Sequence, residues 1–155
     1  MRIIGGKWGG RRISPPTKMP FTRPTTDIAK EGLFNMLQNQ IDFEGIKTLD
    51  LFGGTGAITY ELLSRGAADC TIVEKDPQMF KFITDNLQKL GASGVKPVRM
   101  EVFKFLESCH EQYDFIFAGP PYALTTNDAF EKLPIPAILS LFRNATSYGF
   151  AGAKK

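Results

Sequence analysis

Asp50 stands inside an otherwise apolar run, Thr48-Leu49-Asp50-Leu51-Phe52, which breaks into Gly53-Gly54-Thr55-Gly56 and restarts with helical spacing at Ile58, Leu62 and Leu63. That pattern reads as strand, tight turn, helix. Glycines permit positive φ and let a ligand approach the backbone. The helix begins with unpaired N–H groups, so the turn suits an anionic or strongly polar ligand. A strand of a parallel sheet is normally apolar on both faces, which makes an acid at its carboxyl end a crevice residue. Glu74 closes the next apolar run, where an acid accepts hydrogen bonds from ribose hydroxyls. Turn and acid together point to an adenosine-containing ligand. Thr59 stands where a dinucleotide fingerprint wants its third glycine, and no Gly-Lys-Ser/Thr follows the turn, so NAD and a phosphate-gripping loop are disfavoured.

Phe117-Ala118-Gly119-Pro120-Pro121-Tyr122 supplies the complementary chemistry. Two prolines present rigid backbone carbonyls with no competing N–H, and Tyr122 adds a flat face. Carbonyls that accept from an exocyclic amine beside a stacking ring suit a planar base. The alternative is a proline-stiffened loop with Tyr122 packed inward. Metal and thiol chemistry have too few parts: Cys70 and Cys109 lack ligand spacing, and His110 is the only histidine. We expect no metal.

The elements that must position these residues alternate. Thr25-Thr26-Asp27 cap a helix running to Gln40, with Ala29, Leu33, Met36 and Leu37 as its apolar face. Gly66 ends the second helix. Strands are read over 69–74, 95–100 and 113–118. Asp76-Pro77 starts a helix whose core face is Phe80, Ile83, Leu87 and Leu90, and a short helix spans 102–109. Strands alternating with helices make an α/β fold, a parallel sheet with helices on both faces.

At 155 residues, 43% hydrophobic and 23% charged, the chain supports one folded core. The net charge of +3 is mild, but Arg2, Lys7, Arg11, Arg12, Lys18, Arg23 and Lys30 crowd the first thirty residues against one acid, Asp27. Residues 1–24 therefore read as a basic arm or β-hairpin with a proline-rich linker, suited to a phosphate-rich partner. The competing reading is a solvated end. Trp8 is either a plug on the domain surface or a base-stacking ring. No apolar run is long enough for a membrane span, and no secretory signal segment is visible, so a cytoplasmic protein is expected.

Arg2-Ile3-Ile4-Gly5-Gly6-Lys7, Arg23-Pro24-Thr25-Thr26-Asp27 with Leu33-Phe34-Asn35, the run from Asp50 to Gly56, and Pro120-Pro121-Tyr122 occur in that order. The set resembles the bacterial 16S ribosomal RNA guanine-N2 methyltransferases, from residue 1 to about 126. The resemblance implies a Rossmann-like class I methyltransferase fold over 25–155 and S-adenosylmethionine as cofactor. It places Asp50, Phe52, Gly53, Gly54 and Gly56 against the methionine part and Glu74 on the ribose. Glu101 and the Val102 backbone would read the adenine, although the family more often has Asp at 101. Gly119, Pro120, Pro121 and Tyr122 would hold the guanine, and Arg2, Lys7, Arg11, Arg12 and Arg23 the RNA. The implied partner is 16S rRNA or a small-subunit assembly intermediate.

Two departures accompany this resemblance. The family has Asp or Asn where this chain has Gly119, which removes a side-chain acceptor and is expected to weaken transfer. After about 126 the pattern is atypical and no further strand is read, so strand four is expected at an open edge that invites oligomerisation. A truncated or frame-shifted ending would explain this, as would a naturally shortened protein. Two other functions stay open: a cofactor- and RNA-binding remnant without catalysis, and an N-methyltransferase acting on DNA or protein.

Overall fold

The computed structural model describes residues 1–17, 25–119 and 134–143. Its elements are α1 (Asp27–Leu37), β1 (Lys47–Asp50), α2 (Ala57–Ser64), β2 (Asp69–Val73), α3 (Pro77–Lys89), β3 (Val95–Val98), α4 (Val102–Ser108), β4 (Phe115–Phe117) and α5 (Ile135–Leu139). The strands form one parallel sheet in the order β3-β2-β1-β4. Successive strands run outward from β1 to β3, then the chain returns to the other side of β1. That reversal puts the topological switch point at the carboxyl ends of β1 and β4, where Asp50 pairs with Phe117.

Side chains alternate across the sheet and divide the core in two. Cys70 and Ile72 of β2 pack with α2, α3, Phe34 of α1, and Ile3 and Ile13. Leu49, Leu51 and Val73 face α4, Ile138 of α5 and Leu141. All eight residues of α2 are buried, so this helix is enclosed on every side, Thr59, Tyr60 and Glu61 included. Local chemistry sets the boundaries: Thr26 and Asp76 accept from Ala29 N–H and Met79 N–H at the starts of α1 and α3.

Several expectations need correction. The buried residues of α1 are Lys30 and Phe34, whereas Met36 is 54% exposed and Ala29 also faces water. A count of apolar residues scores Lys30 as polar, but its ammonium meets Glu61, and Phe34 packs on Phe43, so the buried stripe is rotated. The helix stops at Leu37, not Gln40. In α3 the first-turn core residue is Met79, in strict four-residue spacing with Ile83 and Leu87, and Phe80 is only half-buried. The third and fourth strands are shorter than read, and a further short helix, α5, spans Ile135–Leu139.

No strand follows β4 among the described residues, yet its start is engaged. Tyr113 N–H donates to Leu141 C=O at 2.7 Å and Arg143 N–H to Tyr113 C=O at 2.9 Å, a parallel bridge to Phe142. Asp114 N–H turns the other way, to Lys47 C=O of β1. Alternate residues of an extended segment point to opposite sides, so residues 141–143 lie on the flank away from β1.

Residues 1–13 form a hairpin closed by the antiparallel Arg2↔Arg12 bridge, with a 3₁₀ turn at Gly6–Trp8. It is docked on the domain, not extended from it. Ile3 is wholly buried, and a Cβ on Gly6 (φ +77) would fall 2.0 Å from Ser64 C=O, so only glycine allows this approach.

Candidate functional site

Four parallel neighbours end at one edge of the sheet, and each is followed there by a residue marked out in the sequence. In spatial order these are Glu101 after β3, Glu74 after β2, Asp50 at the end of β1, and Gly119 after β4. Neighbouring strands are about 4.8 Å apart, so the row spans about 15 Å, enough for an extended ligand rather than a point contact.

Asp50 is 2% exposed. Its carboxylate accepts from Phe52 N–H at Oδ1 and from the Thr59 hydroxyl at Oδ2, both at 3.3 Å. Burial pushes the Asp50 carboxyl up to about 8; those two hydrogen bonds pull it back, and the charge of Glu74 adds to the rise. Burial therefore favours the neutral form of the Asp50 carboxyl.

The turn beside it is fixed from β2. Gly53 N–H donates to Val73 C=O at 2.8 Å, and Gly54 N–H to Glu74 Oε1 at 2.8 Å. Glu74 Oε2 accepts from Asp76 N–H at 2.9 Å. Each carboxylate oxygen has a second lone pair, so Glu74 can tie down the turn and still accept from a ligand hydroxyl. Gly54 and Gly56 have φ of +57 and +84. At Gly56 a Cβ would meet the Tyr60 ring at 2.5 Å, so the cradle is built for a bare backbone.

Glu101 is the N-cap of α4, its Oε1 accepting from Phe103 N–H at 3.0 Å and Lys104 N–H at 3.3 Å. Val102 stands at the first position of that helix and is buried. Gly119 is the last described residue beyond β4. Pro120, Pro121 and Tyr122 lie outside the described residues, as does Arg23. Of the other basic candidates, Lys7, Arg11 and Arg12 are exposed on the hairpin, and Arg2 is partly engaged with Asp27. Trp8 packs half-buried against the core with the Lys7 ammonium 4.7 Å from its ring centroid, which favours the plug reading.

A cavity of about 510 Å³, lined by residues 38–43 and Arg65, precedes the amino end of β1 and so lies away from the carboxyl ends of the strands. Among the described residues no group of three or more His, Cys, Asp or Glu could hold a metal ion, and no helix is long and apolar enough to cross a membrane.

Three residues of α2 take part beyond what the sequence analysis assigned them: Thr59, weighed there only against a dinucleotide, bonds Asp50; Tyr60 floors the turn; and Glu61 anchors the hairpin. Their signal was present. A hydroxyl, a phenol and an acid in succession within a helix flanked by Ile58, Leu62 and Leu63 must each find a polar partner or do without one.

Known proteins are similar to this chain in sequence and in fold. Ribosomal RNA small subunit methyltransferase D of Escherichia coli K12 is 38% identical over 122 residues, 79% of this chain and 60% of that protein. The Haemophilus influenzae protein of the same name is 35% identical over 126 residues, covering 79% of this chain and 64% of that one. The chain thus spans less than two thirds of the length of these relatives. Among solved structures, a hypothetical protein of Thermus thermophilus superposes with a TM-score of 0.79 at 28% identity, over 92% of this chain and 80% of that one. The Escherichia coli protein yhhF gives 0.69 at 36%, over 78% and 64%. The fold is the Rossmann-like fold of class I methyltransferases. With residues 1–142 matched, the chain belongs to the family described as Conserved hypothetical protein 95.

Proposed function

We propose that the chain is a cytoplasmic S-adenosylmethionine-dependent methyltransferase acting on the exocyclic N2 of a guanine in 16S ribosomal RNA. The observation that carries this reading is the row at the sheet edge: a glycine turn with an acid beneath it, a second acid one strand away, and Gly119 just beyond β4. When bound, S-adenosylmethionine supplies an electrophilic methyl group on a sulfonium; the chain supplies geometry. Asp50 meets the ammonium of the amino-acid end, beside Phe52, Gly53, Gly54 and Gly56. Glu74 accepts from the ribose hydroxyls, and Glu101 with the Val102 backbone reads the adenine.

Gly119, Pro120, Pro121 and Tyr122 hold the extruded guanine. Its N2 is a weak nucleophile because its lone pair is delocalised into the ring. Carbonyl acceptors at the amine favour a pyramidal nitrogen aligned with the methyl, so rate comes from positioning. The outward charges of the docked hairpin, Lys7, Arg11 and Arg12, with Arg2 and Arg23, follow the RNA phosphates. The names of the two bacterial relatives support ribosomal RNA of the small subunit as substrate.

Labelled S-adenosylmethionine, offered with small subunits lacking the modification, tests this directly. Label is expected in 16S rRNA as N2-methylguanine. Label in DNA or protein instead would reject the substrate. Gly119 favours one second reading, a binding remnant, because it leaves only backbone acceptors at the guanine amine. Cofactor binding without transfer to any of the three substrates would select that reading.

A further inference from the structure

Tyr60 lies one turn into α2, its N–H bonded to Gly56 C=O at 2.9 Å. Its ring floors the glycine turn: a Cβ at Gly56 would stand 2.5 Å from Cζ, 2.6 Å from the hydroxyl oxygen and 2.9 Å from Cε1. The side chain is 0% exposed, and among the described residues its hydroxyl is the buried side-chain polar atom with no hydrogen-bond partner. Phenylalanine would fill the same space without that cost, so folding does not account for the hydroxyl. The phenol oxygen abuts the Gly56 backbone, where any side chain at residue 56 would collide with it. The start of α2, with its unpaired N–H groups, favours an anion at the same place. Asp50 is held close by through the hydroxyl of Thr59, the residue just before Tyr60.

We propose that Tyr60 is a cofactor-binding residue whose hydroxyl donates a hydrogen bond to the α-carboxylate of S-adenosylmethionine, while Asp50 answers the α-ammonium. This rests on the cofactor reading above and adds to it the recognition of the zwitterionic end. A phenol raised by burial well above its ordinary pKa stays protonated and can serve an anion only as a donor.

The test is Tyr60→Phe in the 155-residue chain, which keeps the ring and removes one oxygen. Affinities are measured calorimetrically for S-adenosylmethionine and for 5′-methylthioadenosine, which lacks the amino-acid end, together with Tm in the absence of ligand. The expected result is about tenfold weaker S-adenosylmethionine binding, as for one hydrogen bond to a charged group. Methylthioadenosine affinity should stay within about twofold, and the ligand-free Tm should hold or rise. Unchanged S-adenosylmethionine affinity in Tyr60→Phe, with the unsubstituted chain binding normally, would overturn the Tyr60 assignment alone. Equal loss for both ligands, or a lowered ligand-free Tm, would mark a structural role and overturn it too. Failure of the unsubstituted chain to bind S-adenosylmethionine would overturn both this proposal and the reading beneath it.

Discussion

Asp50 and Glu61 are both carboxylates buried beside α2, at 2% and 0% exposure, and they are housed in opposite ways. Glu61 is answered on every side. Its Oε1 accepts from Ile4 N–H at 2.9 Å with the Lys30 ammonium at 3.6 Å; its Oε2 accepts from Gly5 N–H and Arg65 Nε, both at 2.9 Å. Lys30 in turn donates to Arg2 C=O, and burial holds its ammonium below the ordinary lysine value against the pull of Glu61. Among the described residues Asp50 has two long hydrogen bonds and no paired cation, and an unpartnered hydroxyl lies close by. The first arrangement is a finished joint between hairpin, α1 and α2. The second is a set of polar groups left open, and a protein keeps such groups where a ligand completes them.

The contrast is broken most forcefully at the joint. Glu61→Ala strands Lys30 inside the protein, and urea unfolding is expected to show a loss of about 3–5 kcal/mol. A loss under about 1 kcal/mol would mean the cluster is not a structural joint.

Asp50→Asn sharpens the other half. A carboxyl whose folded pKa is raised to about 8 holds its proton more tightly folded than unfolded. Its stabilising contribution is complete below about pH 4 and is lost as pH rises through about 8. Relative to Asp50→Asn, the unsubstituted chain should lose roughly 3 kcal/mol between about pH 5 and about pH 7.5, read from paired urea titrations. Parallel curves for the two proteins would remove the open-site half of the contrast.

The smallest change to stability is expected on the outer face of the hairpin. Arg11→Gln with Arg12→Gln should alter stability by no more than about 0.5 kcal/mol, because both side chains are exposed. The log–log salt slope of RNA binding should flatten by about 0.7–0.9 for each phosphate that is no longer neutralised. An unchanged slope would take the hairpin out of the RNA interface.

The residues gathered at the carboxyl edge of the sheet were legible because their signals are local. Asp50 interrupts an apolar run, the glycines follow at once, and Glu74 closes the next strand; strand–helix alternation then forces a parallel sheet with these ends together. What escaped depends on partners far along the chain. Lys30 counts as polar until Glu61 is opposite it, and this rotated the predicted face of α1. The hairpin could be expected from its glycine pairs, but its docking needs Ser64 and Glu61 beneath it. The Tyr113↔Phe142 bridge joins segments whose sequences carry no pairing signal. Tyr60 sits among Ile58, Leu62 and Leu63 and reads as core; the polar run Thr59-Tyr60-Glu61 hints otherwise, but which of the three lacks a partner shows only in the fold.

Proton release on cofactor binding tests the ligand edge most directly. At about pH 6.5 Asp50 is mostly protonated in the free chain, and an arriving ammonium should ionise it. Calorimetry of S-adenosylmethionine binding in buffers of different ionisation enthalpy should show close to one proton released per ligand, and none for Asp50→Asn. Tight binding with no proton exchanged by the unsubstituted chain would contradict a cationic ligand seated on a protonated Asp50.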